Sequence, residues 1–126
     1  MSVIEHERQP IEEWRPGVRT RMRVSALTGA AQLCIFEQWC APGRGASTHL
    51  HAVEEILTIV EGQAEFWLDD ERAQVTAGQS ILVPAGCKHG FRNTGGSTLH
   101  LQATLAAPYF EAIVDNQKDP TRRWAG

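Results

Sequence analysis

Four side chains in this sequence have the types and spacing that hold a first-row transition metal. His49 and His51 are separated by one residue, Glu55 follows shortly after, and His89 lies well downstream. Three neutral imidazoles and a carboxylate suit one divalent ion such as Fe, Mn, Ni, Zn or Co, and the ligand types alone do not say which. Residues two apart on a strand point to one side, so His49 and His51 are expected to present both rings together. Glu55 keeps that parity, but Glu54 stands beside it with the same chemistry, and ligand type does not choose between them. His89 can join only if the sheet curls, which a closed barrel allows. An ion preferring six ligands would keep two positions open for water, oxygen or a chelating substrate. Such a site is catalytic in type, since a structural zinc is closed and four-coordinate.

Short strands must position these groups. From Thr20, Arg21, Arg23 and Ser25 alternate with Met22, Val24 and Ala26, the period of a half-buried strand. Leu33 to Cys40 reads as the next strand, with Cys34, Phe36, Gln38 and Cys40 on one face and Ile35, Glu37 and Trp39 on the other. Further strands are expected at Ile56–Val60, Gln63–Leu68, Arg72–Val75, Ser80–Val83, His89–Asn93 and Thr98–Leu105, with Gly, Pro and Asp clusters between them. Turn signals this closely spaced predict an all-β sandwich or barrel. Residues 1–19 are polar and read as an N-terminal arm, with a strand or helix docking on a partner subunit as the sharper alternative. Residues 20–107 form the barrel. In the C-terminal segment 108–126, Pro108 to Val114 forms a short helix or a final edge strand, and Asp115 to Gly126 a polar tail.

Composition narrows the function classes. A chain of 126 residues is one domain that buries about two-thirds of its unfolded surface without staples. A formal charge of −3 with no basic face argues against a nucleic-acid partner. The odd set Cys34, Cys40 and Cys87 fits a reducing compartment better than a disulfide framework. Glu5, Glu7, Glu12 and Glu13 fill the first twenty residues where a secretion leader would be apolar. No membrane partner is expected, and a cytoplasmic location is.

Two spaced patterns surround the candidate ligands. Gly43, His49, His51, Glu55 and Gly62 form the first, and Gly78, Pro84, Gly86, His89 and Asn93 the second, with fifteen residues between Gly62 and Gly78. Both resemble the two motifs of the cupin superfamily at every position, and the short gap is that of a small single-domain member. The resemblance covers roughly Thr20 to Leu105. It implies a conical antiparallel β-barrel of jelly-roll (double-stranded β-helix) type, commonly a homodimer. It also places His49, His51, Glu55 and His89 on the family's metal ligands, and the spacing to Gly62 selects Glu55 over Glu54.

Other residues are candidates for the pocket. His100, Gln102 and Thr104 form a polar face on the last strand, and family members commonly line the cavity with this strand. His100 and Gln102 are therefore read as pocket residues with a catalytic role. Tyr109, the only tyrosine, can act as acid or base if held near the ion. Gln38 and Phe36 on the second strand and Cys87 near His89 are candidate substrate contacts. What the resemblance implies is a metalloenzyme on a small oxygen-chelating molecule, with dioxygenase chemistry slightly ahead of lyase, isomerase or decarboxylase. The competing reading is a small-ligand binding or sensing module without turnover.

Overall fold

The computed structural model describes residues 1–126 as twelve β-strands and two single 3-10 turns. The strands are β1 (Ile11–Arg15), β2 (Val18–Val24), β3 (Cys34–Cys40), β4 (Gly45–Leu50), β5 (Glu55–Glu61) and β6 (Gln63–Leu68). They continue as β7 (Glu71–Thr76), β8 (Ser80–Val83), β9 (His89–Asn93), β10 (Leu99–Leu105), β11 (Phe110–Val114) and β12 (Thr121–Arg123). All pair antiparallel in two six-stranded sheets, ordered β1-β2-β3-β10-β5-β8 and β12-β11-β4-β9-β6-β7. This is the all-β class that the turn spacing predicts, in the jelly-roll form that the resemblance implies.

Alternation decides which side chains fill the space between the sheets. On β10, Leu99, Leu101, Ala103 and Leu105 are buried, and they meet Phe36, Leu57 and Ile59 from the neighbouring strands. Phe66 and Phe91 stack from the facing sheet with ring centres 5.0 Å apart. Gly62 turns β5 into β6 with φ +98°, a left-handed conformation that favours glycine. Asn93 ends β9 fully satisfied: its amide nitrogen donates to the carbonyls of Cys40 and Ser97, and its oxygen accepts from Gly95 N–H.

Both chain ends join the sheets. Within the N-terminal segment, Ile11, Glu12 and Glu13 pair with Arg21, Thr20 and Arg19 of β2. At the other end, Phe110–Val114 forms a strand and not a helix. It is inserted between β4 and β12, where two ladders satisfy the backbone groups a helix would satisfy internally. Trp14 and Trp124 bring the two ends together, with ring centres 5.4 Å apart, and both pack on Phe36 and Phe110. No helix is long and apolar enough to cross a membrane.

Candidate metal centre

The two sheets converge on His49, His51, Glu55 and His89, whose ligating atoms all lie within 4.8 Å of one another. His49 on β4 faces His89 on β9 in the ladder. Their ring centres are 4.3 Å apart. His51 follows just after β4, and Glu55 opens β5 in the opposite sheet. Glu55 is buried while Glu54 is exposed, so burial picks the same carboxylate as the motif spacing.

Each imidazole is oriented by the main chain. The Nδ1 atoms of His49, His51 and His89 lie 2.7, 2.7 and 2.9 Å from the carbonyl oxygens of Ser47, Glu111 and Cys87. A carbonyl only accepts, so each Nδ1 carries the proton, and in the neutral ring Nε2 keeps its lone pair. Metal-bound histidines are held in this way, with the outer nitrogen donating to a fixed acceptor.

Burial and the mutual proximity of these groups together set the electrostatics. Burial, and then the neighbouring His89, push His49 down to about 4, which keeps its ring neutral and able to ligate. Burial opposes charge on His51 as well, but the adjacent Glu55 carboxylate outweighs it and raises its pKa. Burial would raise Glu55, yet the imidazoles of His51 and His89 beside it hold it well below the ordinary carboxylate range. The carboxylate is therefore ionised at neutral pH.

These residues fit a divalent ion on two counts. Nε2 of His51 is buried without a hydrogen-bond partner, 3.4 Å from Oε1 of Glu55. An unpartnered buried polar atom is costly, and a cation among the ligands would remove that cost. The donor set of three imidazoles and one anionic oxygen also suits first-row metals.

His49, Glu55 and His89 open into a cavity of about 260 Å³ between the sheets. Its walls come from both sheets and include Trp14, Phe36, Gln38, Phe91, Phe110 and Arg123. Of the candidate substrate contacts, Phe36 and Gln38 line this cavity. The Gln38 amide nitrogen donates to Thr20 Oγ1 at 3.0 Å, which leaves its oxygen unused by the protein. Cys87 does not line it; its carbonyl orients His89 instead.

The candidates on β10 and after it lie elsewhere, which corrects the expectation placed on them. Because the leucines of β10 face inward, parity turns His100 and Gln102 to the outside of the sheet. There Nε2 of His100 lies 3.0 Å from Oε2 of Glu37, its ring stacks on Trp39, and Arg23 donates to Gln102. Tyr109 also lies outside the cavity, with the Arg122 guanidinium 4.8 Å from its ring centre. Phe110, the next residue, is the one turned inward. Trp14, Arg15, Thr121 and Arg123 line the cavity from segments that read as arm and tail. The lone aromatics Trp14 and Trp124 in polar stretches were the available signal.

Residues 37–105 match the family described as Cupin domain, and the chain belongs to that family. Among curated proteins it is similar to the polyketide synthase CurC of Streptomyces cyaneus, 36% identical over 77 residues, which cover 60% of this chain and 47% of that protein. Auxin-binding protein 1 of Arabidopsis thaliana is 27% identical over 111 residues, 79% of this chain and 56% of its own length. The chain thus spans about half the length of these curated relatives. The polyketide cyclase RemF from Streptomyces resistomycificus shares the fold, with a TM-score of 0.76 and 21% identity over 94% of this chain and 88% of that one.

Proposed function

We propose that this chain is a metal-dependent enzyme that binds one divalent transition-metal ion through His49, His51, Glu55 and His89. Its substrate is a small organic molecule offering two oxygen atoms, and its chemistry is oxidation by dioxygen. The observation that carries this reading is the shared cavity: three of the four donors open into it beside Trp14, Phe36, Phe91 and Phe110. A bound ion supplies Lewis acidity and coordination positions for oxygen atoms. The aromatic walls exclude water and hold a flat carbon skeleton, and the free Gln38 oxygen accepts a hydrogen bond from it. At about 260 Å³ the cavity is below the usual range of roughly 300–1,000 Å³ for ligand pockets, which supports a small substrate.

Proton-transfer chemistry has less support. Outside the ligand set, the cavity lining contains no Asp, Glu, Lys, Cys or Tyr, so no separate acid or base is at hand for a lyase, isomerase or decarboxylase. Ring closure of a polyketide is the second reading, favoured by the likeness to CurC. It would require one of the ligand residues to act as base.

The test is metal content of protein purified without added metal, followed by oxygen uptake with small aromatic and β-dicarbonyl compounds. Bound metal, and oxygen uptake that His89→Ala abolishes, are expected. Metal-dependent turnover without oxygen would transfer support to ring closure. Metal-dependent ligand binding with no turnover would identify a binding module. Absence of metal, with ligand binding unchanged in His49→Ala, would overturn the site.

A further inference from the structure

The cavity holds two charges that the ligand set does not use. Arg15 on β1 and Arg123 on β12 both line it, and neither pairs with a carboxylate. The other arginines are paired or exposed. Arg21 and Arg23 meet Glu37, Arg72 meets Glu65, and Arg122 meets Glu111, whereas Arg8, Arg19, Arg44 and Arg92 lie exposed. Partly buried arginines in this molecule are neutralised, with these two as the exceptions.

Their surroundings hold them in place without neutralising them. Arg15 donates from Nε and Nη2 to the carbonyl of Gly45. The Arg123 guanidinium sits 4.2 Å from the centre of the Trp14 ring, a cation–π contact. Nε of Arg123 and Nε1 of Trp14 are buried donors with no acceptor. Burial lowers the Arg15 pKa and the like charge of Arg123 contributes in the same direction, yet a guanidinium stays protonated at neutral pH. The only carboxylate in the lining is Glu55, already committed to His51 and His89. The wall made by β1 and β12 is therefore rich in donors, doubly cationic and short of acceptors.

We propose that Arg15 and Arg123 form the anchoring subsite for an anionic group of the substrate, so that this cavity takes small organic acids. The carboxylate meets the two guanidiniums, and the carbon skeleton lies among Trp14, Phe36 and Phe110, reaching the His49, Glu55 and His89 side of the same cavity. Guanidinium is suited to this because its planar fork matches a carboxylate. The inference rests on the enzyme reading above for its direction, but its subsite can be tested without the metal.

Benzoate and benzamide, the same ring with and without charge, are titrated into the full chain by calorimetry after metal removal with a chelator, so that no preference can come from an ion. The series is extended to acetate and acetamide, and to inorganic phosphate. Benzoate is expected to bind at least about tenfold more tightly than benzamide, the scale of a charge-assisted contact. Arg123→Gln removes that preference, and Arg123→Lys restores part of it. Arg15 is a less clean target because it also ties β1 to Gly45. On the same samples, a Co²⁺ titration followed by absorption is expected to be unchanged in Arg123→Gln and lost in His49→Ala. Equal binding of acid and amide, a preference that survives Arg123→Gln, or binding of phosphate alone would overturn the subsite, as would failure of every carboxylate to bind. A carboxylate preference in a chain that takes no Co²⁺ would leave the subsite standing and remove the metal.

Discussion

Oε1 of Glu55 lies 3.0 Å from Nε2 of His89, joining the first strand residue after the histidine pair to the first residue of β9 in the opposite sheet. The contact brings the two sequence motifs together at one carboxylate oxygen, which is also 3.4 Å from Nε2 of His51. Glu55→Gln keeps the shape and removes the charge. It is expected to weaken metal binding by more than about a hundredfold, beyond the 10–100-fold typical of losing an outer partner. Glu54→Gln, one residue away and exposed, is expected to leave affinity unchanged. Competition titration with a chromogenic chelator compares the two, and equal losses would remove Glu55 from the ligand set.

His49 makes the metal-free protein sensitive to acid. The unfolded chain protonates His49 near 6.5, whereas in the folded state burial and His89 delay this to about 4. Stability is thus lost as pH falls through that window, because the unfolded state takes up the proton first. His51 works in the opposite sense: its raised pKa gives stability present below 6.5 and lost as pH rises through the folded value. Glu55, whose pKa is lowered, stabilises above its unfolded value and loses that effect only as pH falls toward its folded one. In chelator, His49→Gln is expected to flatten the decline in melting temperature between pH 6.5 and 4. A decline as steep as that of the wild type would show that the His49 shift is not what drives it.

Glu37 holds together the outer face of the first sheet. It is only 1% exposed and accepts hydrogen bonds from Arg21 and Arg23, with His100 as a third partner. Burial would raise its pKa, but those three partners lower it overall. The stability it gives is therefore present above its unfolded value and lost as pH falls through the folded one. Its partners reach solvent and can rehydrate, so Glu37→Ala is expected to cost about 1–3 kcal/mol. Urea unfolding measures this, and Co²⁺ affinity should not change because the network faces away from the cavity. A loss of metal binding in a folded Glu37→Ala protein would contradict that separation.

Close packing of β4 on β9 leaves no room for a side chain at Gly45. A Cβ there would fall 2.0 Å from the Phe91 carbonyl oxygen, a backbone atom that cannot move without opening the ladder that aligns His49 with His89. Gly45→Ala is expected to destabilise by at least the roughly 1–3 kcal/mol of an overpacked core, and to weaken metal binding with it. Gly96→Ala, where a Cβ meets nothing within 4 Å, is the matched control. Similar unfolding midpoints for the two variants would refute the argument.

Most barrel strands and the histidine–glutamate cluster were legible in the sequence, the strands from local spacing and the cluster from two spaced motifs. Alternation gave β6, and flanking turn residues gave β8 and β9, with their observed ends; parity put Phe36 and Gln38 on one face, and both line the cavity. The same parity rule assigns His100 and Gln102 to a face, but not which face looks inward. The four apolar residues opposite them settle that physically, since they exclude water only between the sheets. Glu37 gave no signal of its own, because its burial comes from Arg21 directly across the ladder and from Arg23 and His100. The cavity walls from β1 and β12 were the hardest to read. They arise from strand pairings across most of the chain, and short polar segments carry little periodicity.

All three histidines of the candidate metal centre are steered by main-chain carbonyls, and none by another side chain outside the cluster. The aim of each ring is therefore inherited from the course of the backbone and not from the identity of its neighbours. The geometry of the candidate metal centre is thus set by the strands' main chain, separately from the side chains that line the rest of the cavity.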